Sequence, residues 1–173
     1  MTHIKHKNTI ENYENIYPMI SLIDESKTLY VIERLEIHLH SSQIKLLKEA
    51  YKHSKPHHKR VRTKQYQKLL NEPDQLEGLF KIHKNLYIKK YKKLEEKSLV
   101  IVNTECVDLP YDVSLTKKGE GILKNINELE AEWEDVVLSG VEDKDELLKL
   151  MKEIAKNAMT INYKHKKERK FVF

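Results

Sequence analysis

The chain has 173 residues, a net charge of +5, 34% charged and 39% hydrophobic residues, and only four glycines and four prolines. That length allows one domain with a real core plus dimerisation arms, and the scarcity of breakers favours a mostly helical protein. A single cysteine, Cys106, excludes an intramolecular disulfide. No apolar run follows Met1 and none approaches the roughly 20 residues of a membrane span, so the expected setting is a reducing cytoplasm, with no signal peptide and no membrane partner.

Residues 1–8 read as a frayed, basic start, and 10–23 as a weakly amphipathic stretch interrupted by Pro18. Ser26 is placed to cap a helix running to about His40, with Leu29, Ile32, Leu35 and Leu39 on one side. Ser41 or Ser42 opens the next helix, in which Ile44, Leu47 and Tyr51 recur at helical spacing. Residues 52–64 then carry six basic residues, three histidines and no acid, and 54–62 (SKPHHKRVR) read as a basic loop.

Residues 63–70 are a short helical piece. Glu72-Pro73-Asp74 is a strong helix start, because proline suits the first turn and acids suit the positive end of the helix dipole. A helix over 74–80 would turn Leu76, Leu79 and Phe80 inward, and Lys81-Ile82-His83 would make a tight turn into a lysine-rich helix. Two short helices joined in this way form a helix-turn-helix. On the second, Ile82, Leu86 or Tyr87, Tyr91 and Leu94 form the expected buried stripe. Lys84, Asn85 and Lys89 lie away from it on the first two turns, and Lys92 and Lys93 follow. A helix with one apolar stripe and one lysine-rich face suits a polyanion; the competing reading is a merely solvated face. Asn85 is the best placed for base readout, since its amide can pair bidentately with adenine. Lys84 and Lys89 would reach guanine or phosphate, and Lys92 and Lys93 phosphate.

Residues 99–104 are strand-like, 105–111 contain Pro110 and read as a hairpin loop, and 112–115 are the return strand. Thr116 caps a new helix, with Glu120 near the capping-box position. That helix carries Ile122, Ile126, Leu129, Trp133 and Val136 at spacings of four and three, and Ser139-Gly140 stops it. A last helix from about Asp143 carries Leu147, Met151, Ile154, Ala158 and Ile161. The seams formed by Ile126, Leu129, Trp133, Leu147, Met151, Ile154 and Ala158 are expected to pack on each other and on a second subunit.

The fold class is therefore mostly α with a small β-hairpin wing, a winged helix-turn-helix with C-terminal dimerisation helices, to which a family resemblance adds the N-terminal helix as a dimerisation element. The expected division is 1–40 as a helical arm, 41–116 as the DNA-binding lobe, and 117–173 as dimerisation helices with a basic tail. In this order the elements resemble the multiple-antibiotic-resistance-regulator (MarR) family of bacterial repressors. YKKLEEKSLV, residues 91–100, resembles the end of that family's recognition helix and its entry to the wing. VSLTKKGEGIL, residues 113–123, resembles the return strand followed by the family's Leu-Thr-x-x-Gly helix start.

The resemblance implies a homodimeric, sequence-specific regulator of transcription, a repressor bound to double-stranded DNA, with a pocket for a small-molecule effector. It departs from the family at the wing, where Glu105, Asp108 and Asp112 stand without a lysine or arginine in place of the usual Asp-x-Arg. Lys59, Arg60 and Arg62 of the basic segment would supply the missing charge. Two other readings stay open: a helical adaptor that binds no DNA, and a plasmid or phage replication or partition protein.

No enzyme is expected: there is no glycine-rich phosphate loop, no GxSxG and no paired carboxylates outside helix surfaces, so no catalytic residues are assigned. No metal or other cofactor is expected either. His38 and His40 would not share a face if helical, His57 and His58 lack further ligands, and no HExxH or CxxC is present. Cys106 reads as a small apolar filler.

Overall fold

The computed structural model describes residues 15–70, 73–106, 109 and 111–169; the side chains of 65–70, 73–81, 83–84 and 162–169 lie outside that description. Among these residues the order is α1 (Ile16–Arg34), α2 (Ser41–Ser54), α3 (Pro56–Leu70), α4 (Pro73–Glu96), β1 (Val100–Asn103), β2 (Asp112–Leu115), α5 (Lys117–Val137) and α6 (Lys144–Arg169). The two strands form one antiparallel hairpin, and the rest is helical. By its packing the chain divides into two compact units, Met1–Trp133 and Glu134–Phe173.

In the first unit one apolar core joins Val31 and Leu35, Leu39, the α2 residues Ile44, Leu47 and Ala50, Tyr91 and Leu94 of α4, the wing residues Leu99, Val100, Tyr111 and Val113, and Leu123 and Ile126 of α5. Each such aliphatic side chain contributes about 1.5–3 kcal/mol when withdrawn from water. The 1–40 arm and the start of the 117–173 segment thus share a core with the lobe between them. α2 is the strut, packing against α3, α4 and β2.

Three elements differ from the sequence reading. α1 runs through Ser26 and ends at Arg34, with Pro18 tolerated in its first turn. Residues 35–40 are not helical: Leu35 and Leu39 are buried and Ile37 half-buried, while Glu36, His38 and His40 are exposed. That is the alternation of extended chain, and its four-residue recurrence at Leu35 and Leu39 mimics a helical stripe. α2 consequently starts from His40, whose N–H donates to Gln43 Oε1 at 3.0 Å.

The segment read as a basic loop, 54–62, lies mostly in α3. Lys55 is extended, as the residue before a proline prefers, and Pro56 opens the helix where its missing N–H costs nothing. Nor is there a turn at Lys81-Ile82-His83: α4 continues through it to Glu96, and no glycine or proline lies there to break it. The helix-turn-helix pair is therefore α3 and α4. Leu76, Leu79 and Phe80, expected to point inward, have side chains outside the described set.

The wing follows from turn chemistry at the end of α4. Ser98 takes a left-handed conformation, φ 57°. Its N–H donates to the Glu95 carbonyl at 2.8 Å, and that of Leu99 to the Leu94 carbonyl at 2.9 Å, which closes the helix with a Schellman motif and buries Leu94 and Leu99 together. Strand register pairs Val100 with Leu115 and Val102 with Val113, facing the core, and Ile101 with Ser114, facing solvent.

α5 is capped as expected: Thr116 Oγ1 accepts from the Gly119 N–H at 3.0 Å and donates to the Ser98 carbonyl at 2.7 Å. The Thr116 N–H donates to the Leu99 carbonyl at 3.1 Å. This draws the start of α5 so close that a Cβ on Gly119 would lie 2.0 Å from the Leu99 oxygen. Here is the physical reason for a glycine in Leu115-Thr116-Lys117-Lys118-Gly119.

In the second unit Asp143 caps α6, accepting from the Glu146 N–H at 2.8 Å. Leu148, Met151, Ile154 and Ile161 of that helix are exposed.

Gly119→Ala should cost about 3 kcal/mol or more in urea denaturation, because backbone on both sides must shift. Gly121→Ala, where nothing lies within 4 Å, should instead stabilise by about 0.5–1 kcal/mol through helix propensity. Equal effects at the two positions would refute the close approach.

Candidate nucleic-acid interface

α4 has two faces. Tyr91 and Leu94 are fully buried and Tyr87 half-buried, so these three make the inward stripe. Ile82, expected in that stripe, is 56% exposed. It lies on the opposite side of the helix with Asn85, Leu86, Lys89 and Lys93, residues three and four apart that share a face. From Ile82 to Lys93 this face is about 16 Å long, at about 1.5 Å per residue.

The lysines of α4 differ in what surrounds them. Lys90 donates to both carboxylate oxygens of Glu49 on α2, at 2.8 and 2.9 Å, and lies against the rings of Tyr87 and Tyr91. It is engaged at the surface contact between α2 and α4. Lys92 approaches Glu96 at 3.9 Å one turn on, with both side chains largely exposed, an arrangement worth at most about 0.5 kcal/mol. Lys89 and Lys93 are exposed and have no ion-pair partner among the described residues. Asn85 is exposed beside them; the Lys84 side chain lies outside the described set.

The basic segment on α3 splits similarly. Arg60 is exposed. Lys59 pairs with Asp112 at the start of β2, and that carboxylate holds the lysine's pKa above its ordinary value. Arg62 was expected among the DNA contacts with Lys59 and Arg60, but it is 9% exposed and points inward. Its Nη2 donates to the Tyr111 carbonyl at 2.9 Å, its guanidinium lies 4.4 Å from the Tyr111 ring centroid, and Nη1 comes within 4.0 Å of Asp112.

Tyr111 in turn stacks on Tyr87 of α4, ring centroids 3.6 Å apart. Burial pushes the Tyr111 and Tyr91 hydroxyls up, so both remain protonated. His53 of α2 sits 3.9 Å from Glu49, yet burial first, and then the Arg62 charge, push its pKa down; its Nδ1 has no hydrogen-bond partner to offset the loss of water. The wing thus meets α3 at Tyr111 and Asp112, and Lys59 and Arg62 of α3 flank the Asp112 carboxylate. Glu105 is exposed, and Asp108 lies outside the described residues. No spacing rule pairs Arg62 with a carbonyl 49 residues away.

Elsewhere, His38 and His40 project from the extended segment with rings 5.0 Å apart, and His57 and His58 on α3 with rings 5.6 Å apart. Among the described residues no three of His, Cys, Asp or Glu converge as metal ligands would, and no helix is long and apolar enough to cross a membrane. Of the expected subunit seam, Ile126 is fully buried in the chain's own core, with Leu129 packed against it. Trp133 and Leu147 are half-buried, and Met151, Ile154 and Ala158 are exposed. A cleft of about 200 Å³ opens between α1, α2 and α5, lined in part by Lys27, Lys45 and Lys48. It is smaller than the roughly 300–1,000 Å³ of drug-sized ligand sites, whereas a more open groove of about 400 Å³ beside it, lined by Leu29 and Ile32 of α1 and Lys45 of α2, falls within that range. Lys27 is paired with Asp24 and Lys48 with Glu130.

No protein-family model matches the sequence, and no curated protein matches it. Among solved structures the chain is similar to one titled "Crystal Structure of MarR", with a TM-score of 0.58 and 19% sequence identity over 94% of this chain and 99% of that one. The chain has a MarR-like winged-helix fold.

Arg62→Ala should cost about 2–3 kcal/mol in urea denaturation, since it leaves a buried carbonyl unpaired and removes a cation–π contact. Lys59→Ala should cost under about 1 kcal/mol, as exposed pairs do. Similar small costs for both would remove the internal role given to Arg62.

Proposed function

We propose that the protein is a sequence-specific DNA-binding regulator of transcription that acts as a homodimer, a repressor in the manner of the family it resembles. The observation that carries this reading is the outward face of α4. In a winged-helix fold the second helix of the helix-turn-helix is the one that enters the major groove. Here that helix presents Lys89 and Lys93 without internal partners, beside Asn85 and Lys92. Lys90, by contrast, is engaged by Glu49 of α2.

In this reading Lys89, Lys92 and Lys93 neutralise phosphates, Lys84 and Arg60 add to the positive field, and Asn85 reads an adenine edge. Lys59 contributes at the wing while held by Asp112. Arg62 is not among the contacts. The exposed apolar residues of α6, Met151 and Ile154 with Ala158 between the turns, support a subunit contact, joined by Trp133 and Leu147. Ile126 and Leu129 serve the protomer's own core. Two α4 helices would then lie in successive major grooves, about 34–36 Å apart along the duplex. An effector would act by changing that separation; no residue here identifies it.

Affinity for duplex DNA, measured by fluorescence anisotropy across a salt series, should fall steeply with salt. Lys89→Ala and Lys93→Ala should each weaken binding and lower the magnitude of the log–log slope by about 1. Unchanged slopes in both variants, or no preference for any selected sequence over random duplex, would remove the proposed function.

A further inference from the structure

The outward face of α4 is not only cationic. Ile82 is 56% exposed and Leu86 58% exposed, one turn apart, with Asn85 between them and Lys89 and Lys93 on the turns beyond. The core has no use for these two side chains, because Tyr87, Tyr91 and Leu94 occupy the other side of the helix. A purely electrostatic surface has no use for them either. An apolar partner would withdraw both from water together, and the unpaired lysines alongside favour one that sits on a polyanion.

The major groove of duplex DNA meets both conditions. It admits a helix between two rows of phosphates, and its floor offers one apolar group among the four bases, the C5-methyl of thymine. We propose that Ile82 and Leu86 read thymine methyl groups, with Asn85 between them pairing to adenine, so that the middle of α4, from Ile82 to Leu86, lies over A·T pairs. This assignment rests on the DNA-binding reading above and adds the identity of the bases to it. A hydrophobic groove on a protein fits less well, since Lys89 and Lys93 would lose water there without gaining phosphates.

The experiment isolates the methyl group. The tightest duplex from a random-sequence selection is synthesised in two forms, one with thymidine and one with deoxyuridine at every thymidine of the half-site. Uracil keeps the Watson–Crick hydrogen bonds and the backbone charge and lacks only the methyl. The assignment predicts that the deoxyuridine duplex binds more weakly by about fourfold for each methyl contacted, from about 0.8 kcal/mol per buried methyl-sized group at 1.4 kcal/mol per tenfold.

The double variant Ile82→Ala, Leu86→Ala replaces two exposed residues and should retain its far-UV circular dichroism. It should bind both duplexes equally, with the wild-type salt slope, because its lysines are intact. Salt-steep binding with equal wild-type affinities for the two duplexes would overturn the thymine assignment, assign the apolar pair to a protein partner and leave the DNA-binding reading standing. Selected half-sites without A·T pairs would overturn it as well. Absence of salt-dependent binding to any duplex would remove the DNA-binding reading and this assignment with it.

Discussion

Burying a guanidinium is the constraint that shapes this fold. Arg62 is withdrawn from water, and an unpaired charge in that position would cost several kcal/mol. The cost is partly offset from the base of the wing: the Tyr111 carbonyl accepts a hydrogen bond from Nη2, the guanidinium lies over the Tyr111 ring, and Asp112 stands 4.0 Å from Nη1, which has no hydrogen-bond partner. Because Tyr111 also stacks on Tyr87, one residue of α3 ties the wing to α4. Lys90 and Glu49 tie α4 to α2 on the neighbouring side. These contacts fix how α4 is rotated about its axis. With Tyr87, Tyr91 and Leu94 held inward, Ile82, Asn85, Leu86, Lys89 and Lys93 can only face out.

A second device sets the angle at which the wing leaves. α4 ends in a left-handed serine, the next carbonyl accepts from Thr116, and a glycine lets α5 begin against that carbonyl. Helix end, strand start and the following helix start are thereby locked within a few ångströms. The wing's acidity then acquires a role. Asp112 serves as the internal counter-ion of α3, which accounts for an acid where the resembled family places a basic pattern.

Features that depend on neighbours in sequence were legible before the structure. The hairpin, the Thr116 cap, the Ser139-Gly140 stop and the Asp143 start all follow from local hydrogen-bonding chemistry. Two of the misreadings came from periods that overlap: Leu35 and Leu39 fit both extended and helical spacing, and Ile82 fits a loose stripe with Leu86 though not the true one with Tyr91. The 54–62 segment reads as a basic loop, whereas Pro56 opens a helix there as a first-turn residue. Arg62 looked like a surface cation because its partner lies far along the chain, and Ile126 looked like a subunit seam because spacing does not say whose core a residue fills. The outward cations Lys89, Lys92 and Lys93 were legible, since a strong inward stripe assigns the opposite face by elimination.

The central claim is that this opposite face is where duplex DNA is held. Lysine reactivity tests it most directly: acylation by an amine-selective reagent, read by mass spectrometry with and without saturating duplex. The account predicts that Lys89, Lys92 and Lys93 become protected while Lys124 and Lys149, on α5 and α6, keep their reactivity. Undiminished reactivity of Lys89 and Lys93 in protein known to be bound to DNA would contradict it.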